Sequence, residues 1–354
     1  MENKKECVQN RIESFDVARG IAMVAIILGH FGNSCIERFV FTFHVPLFFI
    51  LSGIFFDIKR NNRKRTEKLI KPYVFTVICL AVLDVMKTGL VDILSNGRVN
   101  MENCVSSLTR TIIAGLYGSG SRTDFFGYTI PAIGAIWFFL AMIWGLLLTS
   151  IIIRCANGKR NAVLIVIVST LFLWMLGFFS ARITWLPLSI QAGFCSVIFI
   201  IIGICLKKLD LKTKSRINDK EAYIILLGAV IWAISIVFSY KIGNMSLVRC
   251  FFPNPIINIM GASAATVFIC AISFYIKSSA IGRFLSFFGR NSMIVLSFHL
   301  MELNEIPWNS IFVDNAPNAV IGNVIVFIAR ICWCLFGIYI VNKIYFCRKI
   351  FSIK

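Results

Sequence analysis

Long apolar runs separated by short basic loops constrain this chain more than any other feature. The runs fall at roughly 17–35, 39–57, 70–88, 131–153, 161–179, 187–206, 221–239, 256–276, 293–304 and 319–341. About 20 apolar residues match the roughly 30 Å hydrocarbon layer of a bilayer. Inside that layer a backbone must satisfy its own hydrogen bonds, so such runs are predicted to be helices. Composition agrees, with 58% hydrophobic and 15% charged residues over 354 positions. The expected fold is an all-α polytopic membrane bundle of about ten transmembrane helices.

The net charge of +19 would suit a nucleic-acid binder if it were spread over one face. Instead the cations cluster between apolar runs, at residues 59–65, 154–160, 207–220, 277–290 and 343–354. That is a topology signal and argues against a nucleic-acid partner. Placing these loops and the N-terminus in the cytoplasm puts about 27 of the 36 Lys and Arg inside, so both termini are expected there. Residues 89–129 become the main outer segment. The start lacks the pattern of a cleavable signal, so the first run is expected to stay in the membrane. No internal repeat or boundary is visible. One domain, 1–354, is expected, without a fused extracellular domain. Twelve cysteines with no CxxC pair give no zinc site, and no metal is expected. Cys35, Cys104 and Cys250 fall near outer loops and leave one disulfide open.

Polar residues inside the runs are where chemistry is expected, because a bilayer makes them costly. On an ideal helix Asp16, Arg19 and His30 share a stripe roughly 60° wide, and Arg19 and His30 are about 16 Å apart along the axis. The chain has three histidines, and all lie in apolar runs. An imidazole titrating near pH 6.5 can take a proton from a hydroxyl at neutral pH, the role expected of His30. His44, on the returning run, comes to a similar depth and could meet it. Arg19 could bind phosphates or pair with Asp16 one turn away. His299 and Glu302, also one turn apart, could pair or mark an acceptor site. Arg330 lies mid-run with no acid nearby in sequence, so it is expected to point into the bundle.

Several of these residues also carry a likeness. Arg19, ten intervening residues and His30, then Phe43-His44-Val45-Pro46-Leu47-Phe48-Phe49 and Ser52-Gly53, resemble the opening of the integral-membrane acyltransferase-3 family. The branch most similar is that of fucose O-acetylases and related sugar acetyltransferases. Ala135-Ile136-Trp137-Phe138-Phe139-Leu140 and Phe288-Gly289-Arg290-Asn291-Ser292 resemble later parts of the family. The resemblance implies transfer of an acyl group, acetyl above all, from acetyl-CoA to a hydroxyl of a cell-envelope carbohydrate or lipid-linked glycan. His30 would be the general base, with Asp16 and Arg19 on its stripe. Many members carry two arginines three apart just before a proline. Here Lys68 and Lys71 hold those places ahead of Pro72, so Arg65, Lys68 and Lys71 join Arg19 as expected donor-binding cations. Contact with anionic lipid would explain the same run. His44, Trp137, His299, Glu302 and Arg330 are the expected substrate-binding residues. An aromatic belt at the membrane interface would also account for Trp137.

The expected setting is a cell membrane, the cytoplasmic membrane of a bacterium, with lipids around a multi-pass protein. The competing class is a transporter or flippase of a lipid-linked glycan, since intramembrane His and Arg also mark substrate paths. Paired halves with interrupted helices would signal it.

Overall fold

The computed structural model describes residues 2–59, 62–125, 127–208 and 219–352, without the side chains of residues 2–12, 208 and 219–221. Arg60 and most of the 207–220 basic loop therefore lie outside the described residues. The described residues form fourteen α-helices and one short hairpin, an all-α polytopic helix bundle. Two compact units are present, Met1–Lys59 with Gly145–Met175 and Cys195–Ser292, and Arg60–Trp144 with Leu176–Phe194 and Met293–Lys354.

Eight helices among the described residues are long and apolar enough to cross a membrane, against about ten apolar runs in the sequence. The first run lies on α1 (Glu2–Gly29), which carries charges in its middle. The ninth lies on α12 (Ser292–Glu305), whose 14 residues rise only about 21 Å and are mostly buried in protein. The spanning helices show bare apolar faces where lipid would lie. On α9 (Asp219–Ile242) Leu226 and Leu227 are 63% and 60% exposed.

In the first unit α1 packs on α3 (His44–Ile54), α10 (Pro255–Ile276) and α11 (Ala280–Arg290). The second run takes in the end of α2 (Ser34–Val40) and all of α3, parted at residues 41–43, where Phe43 has φ −144° and ψ −31°. Pro46 accounts for the restart, because it lacks an N–H and is tolerated in a first turn where no intrahelical partner is needed. Trp232 Nε1 donates to Thr42 Oγ1 at 2.9 Å and steadies the break. Backbones touch where side chains vanish. A Cβ on Gly53 would lie 2.0 Å from the Ile200 carbonyl oxygen of α8 (Ile190–Lys208), and one on Gly203 equally close to that of Ile50. Small residues give membrane helices this close approach, which supplies the dispersion contact that lipid cannot.

In the second unit α4 (Asn62–Asn96) runs for 35 residues. Residues 89–129, the segment expected on the outer side from charge, are mostly ordered as helix and a hairpin. α5 (Met101–Tyr117) turns back along α4, with Tyr73 Oη donating to the Gly115 carbonyl at 2.6 Å. Asp92 fixes the reversal by accepting from Asn100 N at 3.1 Å and Asn103 Nδ2 at 2.9 Å. A hairpin, β1 (Thr123–Phe125) and β2 (Tyr128–Ile130), follows before α6 (Trp137–Ala156). α13 (Ala319–Lys343) and the short α14 (Tyr345–Ile350) end the chain, α14 lying on α4. Cys35, Cys104 and Cys250 are free thiols, so the disulfide left open in the sequence does not form.

Candidate active site

The centre of α1 holds the first pair. Arg19 Nη1 donates to Asp16 Oδ1 at 2.8 Å, with the carboxylate side chain 6% exposed and the guanidinium 29%. One turn of helix brings the two side chains together as an ion pair. The Arg19 guanidinium also lies over the Phe55 ring, 5.2 Å from its centroid. Its orientation is therefore fixed from two sides. α11 crosses α1 at this level without side chains between the backbones. A Cβ on Gly20 would lie 2.0 Å from the Leu285 carbonyl oxygen, and one on Gly289 1.9 Å from that of Asp16.

His30 lies just past the end of the helix that carries Asp16 and Arg19. α1 ends at Gly29, and His30 follows in the turn, exposed. Hydropathy hides this end because Phe31 continues the apolar run, whereas Gly32 at φ 71° and Asn33 already belong to the next cap. His30 Nδ1 bonds the Ile26 carbonyl at 2.8 Å. A carbonyl only accepts, so in the neutral ring Nδ1 carries the hydrogen and Nε2 is the basic nitrogen. His44 is held alike, Nδ1 donating to the Val40 carbonyl at 2.7 Å, but it is buried with its ring against Phe41. The two histidines are close enough to interact electrostatically.

In the second unit Arg65, Lys68 and Lys71 lie on the first turns of α4. Arg65 is buried, while Lys68 and Lys71 are exposed. Trp137, the first residue of α6, is 7% exposed, so packing within the protein explains it and a lipid-facing belt does not. His299, Glu302 and Arg330 come together. His299 Nδ1 donates to Glu302 Oε1 at 2.7 Å, and Arg330 Nε lies 3.6 Å from the same oxygen. Trp308 Nε1 donates to Oε2. Arg330 does point inward, and its acid comes from another helix. His299 and Glu302 are fully enclosed, so the carboxylate ties α12 to α13.

A further polar group escaped the sequence reading. Lys87 Nζ bonds the Asn304 carbonyl at 2.7 Å and lies 3.5 Å from Glu305 Oε2, and Thr111 donates to Asp84. Asp84 also meets the Glu305 carboxyl. The signal was available, since Asp84 is an acid inside an apolar run. No group of three His, Cys, Asp or Glu side chains that could hold a metal occurs among the described residues.

A comparison with curated proteins gives no match. The family model described as an acyltransferase domain matches residues 12–343, nearly the whole chain and every residue of the groups above. On that extent the chain belongs to the acyltransferase-3 family.

Proposed function

We propose that this multi-pass acyltransferase moves an acetyl group from acetyl-CoA to a hydroxyl of a cell-envelope carbohydrate or lipid-linked glycan, with His30 as general base. The supporting observation is the His30 ring itself. Its Nδ1–H is tied to the Ile26 carbonyl, which leaves Nε2 as the basic nitrogen on an exposed residue at the end of α1. In the reaction Nε2 takes the hydroxyl proton as the oxygen attacks the thioester carbonyl. The new C–O ester bond forms as the C–S bond breaks. The proton held by the imidazolium then passes to the departing thiolate.

Arg19, steered by Asp16, is the proposed phosphate contact about 16 Å along α1 from the base. A donor whose phosphates and thioester are joined by a long arm, as in coenzyme A, fits that separation. On α4, Lys68 and Lys71 present exposed cations of the same chemical kind, and Arg65 on the same helix is buried. Their ammonium groups give point charges where guanidinium would give a two-pronged contact. His44 is proposed to act beside His30. In the second unit Trp137 and the His299, Glu302 and Arg330 network are proposed for acceptor contacts, since carbohydrates are recognised by hydrogen-bonding groups set among aromatics.

His30→Gln tests the base. Glutamine keeps a hydrogen-bonding side chain but cannot take the proton. Purified protein in liposomes should lose transfer from acetyl-CoA by roughly 10²- to 10⁴-fold while still binding donor. Near-normal transfer by His30→Gln would sink the mechanism. A glycan that crosses the membrane unacylated, more slowly in His30→Ala, would favour a transporter.

A further inference from the structure

We propose that Arg290, the last residue of α11, is a second guanidinium for the donor's phosphates, acting beside Arg19. The inference deepens the coenzyme A reading above and rests on it. Its basis is the crossing of α1 and α11. Gly289 has so little room that a Cβ there would lie 1.9 Å from the Asp16 carbonyl oxygen. The next residue, Arg290, is thereby brought to the level of the Asp16 and Arg19 pair. The Gly20 contact with Leu285 one turn back along α11 prevents the helix from sliding away.

The two arginines differ in what holds them. Arg19 is committed to Asp16 at 2.8 Å and to the face of Phe55. Arg290 is exposed, and among the described residues no hydrogen bond or ion pair to it occurs, although Asp16 attracts it electrostatically. One buried carboxylate thus draws two guanidinium groups to one place while only partly neutralising them. Two planar forks at one level suit a diphosphate, which offers oxygens to both. A helix C-terminus also favours a cation, and that alone would place an arginine here. It would not require the backbone contact that brings Arg290 to the level of Asp16. Arg283, on the same helix, bonds the Ser278 carbonyl at 2.8 Å and serves as the comparison.

A lipid headgroup shares the phosphate chemistry, so the test separates the two sources. The full chain is placed in phosphatidylcholine nanodiscs, and binding of coenzyme A and of pantetheine, which lacks the phosphates, is measured by calorimetry. Arg290→Ala should weaken coenzyme A binding on the order of tenfold or more and leave pantetheine unchanged. Arg283→Ala should match the parent chain. Arg290→Lys keeps the charge but loses the fork, so a loss of several-fold is expected; it also decides the matter should the alanine variant not fold. Equal coenzyme A binding by the parent chain and Arg290→Ala overturns this inference alone. So does an equal loss for both ligands, or an effect confined to discs containing anionic lipid. A parent chain that binds no coenzyme A overturns the donor reading, and Arg290's role with it.

Discussion

A carboxylate enclosed by protein persists only when its charge is answered, and Glu302 is answered by His299, Trp308 and Arg330. Breaking such a group at one member leaves the others buried without their partner. Glu302→Leu should therefore destabilise the protein by about 3 kcal/mol or more, read as a lower unfolding temperature in detergent. Replacing Glu302 and Arg330 together by apolar residues should cost less than the sum of the single changes, since no uncompensated charge is left. Additive losses would mean the two do not act as a pair. At this scale the sequence was informative about residue type and silent about partners. Arg330 was legible as an inward charge because hydrocarbon penalises the alternative. Its acid was not, because α12 and α13 meet in space and no local spacing records it. The end of α1 just before His30 was not legible for a related reason. The helical stripe assumes a helix, and hydropathy cannot tell a helix from an apolar turn.

At the scale of elements, glycines decide how closely helices approach, and their effect depends on what stands opposite. Gly289→Ala would set a methyl group 1.9 Å from the Asp16 carbonyl oxygen, backbone that cannot rotate aside. α1 and α11 must then separate, at a cost of about 1–3 kcal/mol. Gly89→Ala in α4 is the control, because the nearest atoms to a Cβ there are 3.9 Å away. It should be neutral or raise stability by up to about 1 kcal/mol through helix propensity. Thermal unfolding of both variants in one detergent checks the contrast, and equal shifts would mean that the α1 and α11 contact is loose. Apolar length made most helices legible in advance. The break at 41–43 was not, since Phe41, Thr42 and Phe43 belong to a run that looks continuous, with Pro46 the one local hint. α5 was missed because its exposed Arg110 and Glu102 resemble a loop by composition. Its packing along α4 is a tertiary choice.

At the scale of the whole molecule, proton binding couples to folding, and Glu305 is placed to show it. It closes α12 beyond the apolar run, with both carboxyl oxygens buried and Lys87 Nζ 3.5 Å from one of them. Burial above all, then the Asp84 carboxyl beside it, pushes Glu305 up to about 7, while Lys87 opposes the rise. Its ordinary value is 4.5. Below that the group is protonated in both the folded and the unfolded chain. Between 4.5 and about 7 the folded state keeps a proton that the unfolded state has released, so stability falls as pH rises. The fall is at most about 1.4 kcal/mol for each pH unit crossed, and it ends above the folded value. Glu305→Gln resembles the protonated acid at every pH and should flatten this part of the profile. The groups facing it, Asp84 and Lys87 on α4, remain in the variant, so the difference between the two profiles isolates Glu305. Unfolding temperatures of both proteins in detergent from about pH 5 to 8 provide the measurement. If the parent chain and Glu305→Gln lose stability in parallel across that window, Glu305 holds no proton in the folded state, and Lys87 neutralises it as an ordinary ion pair.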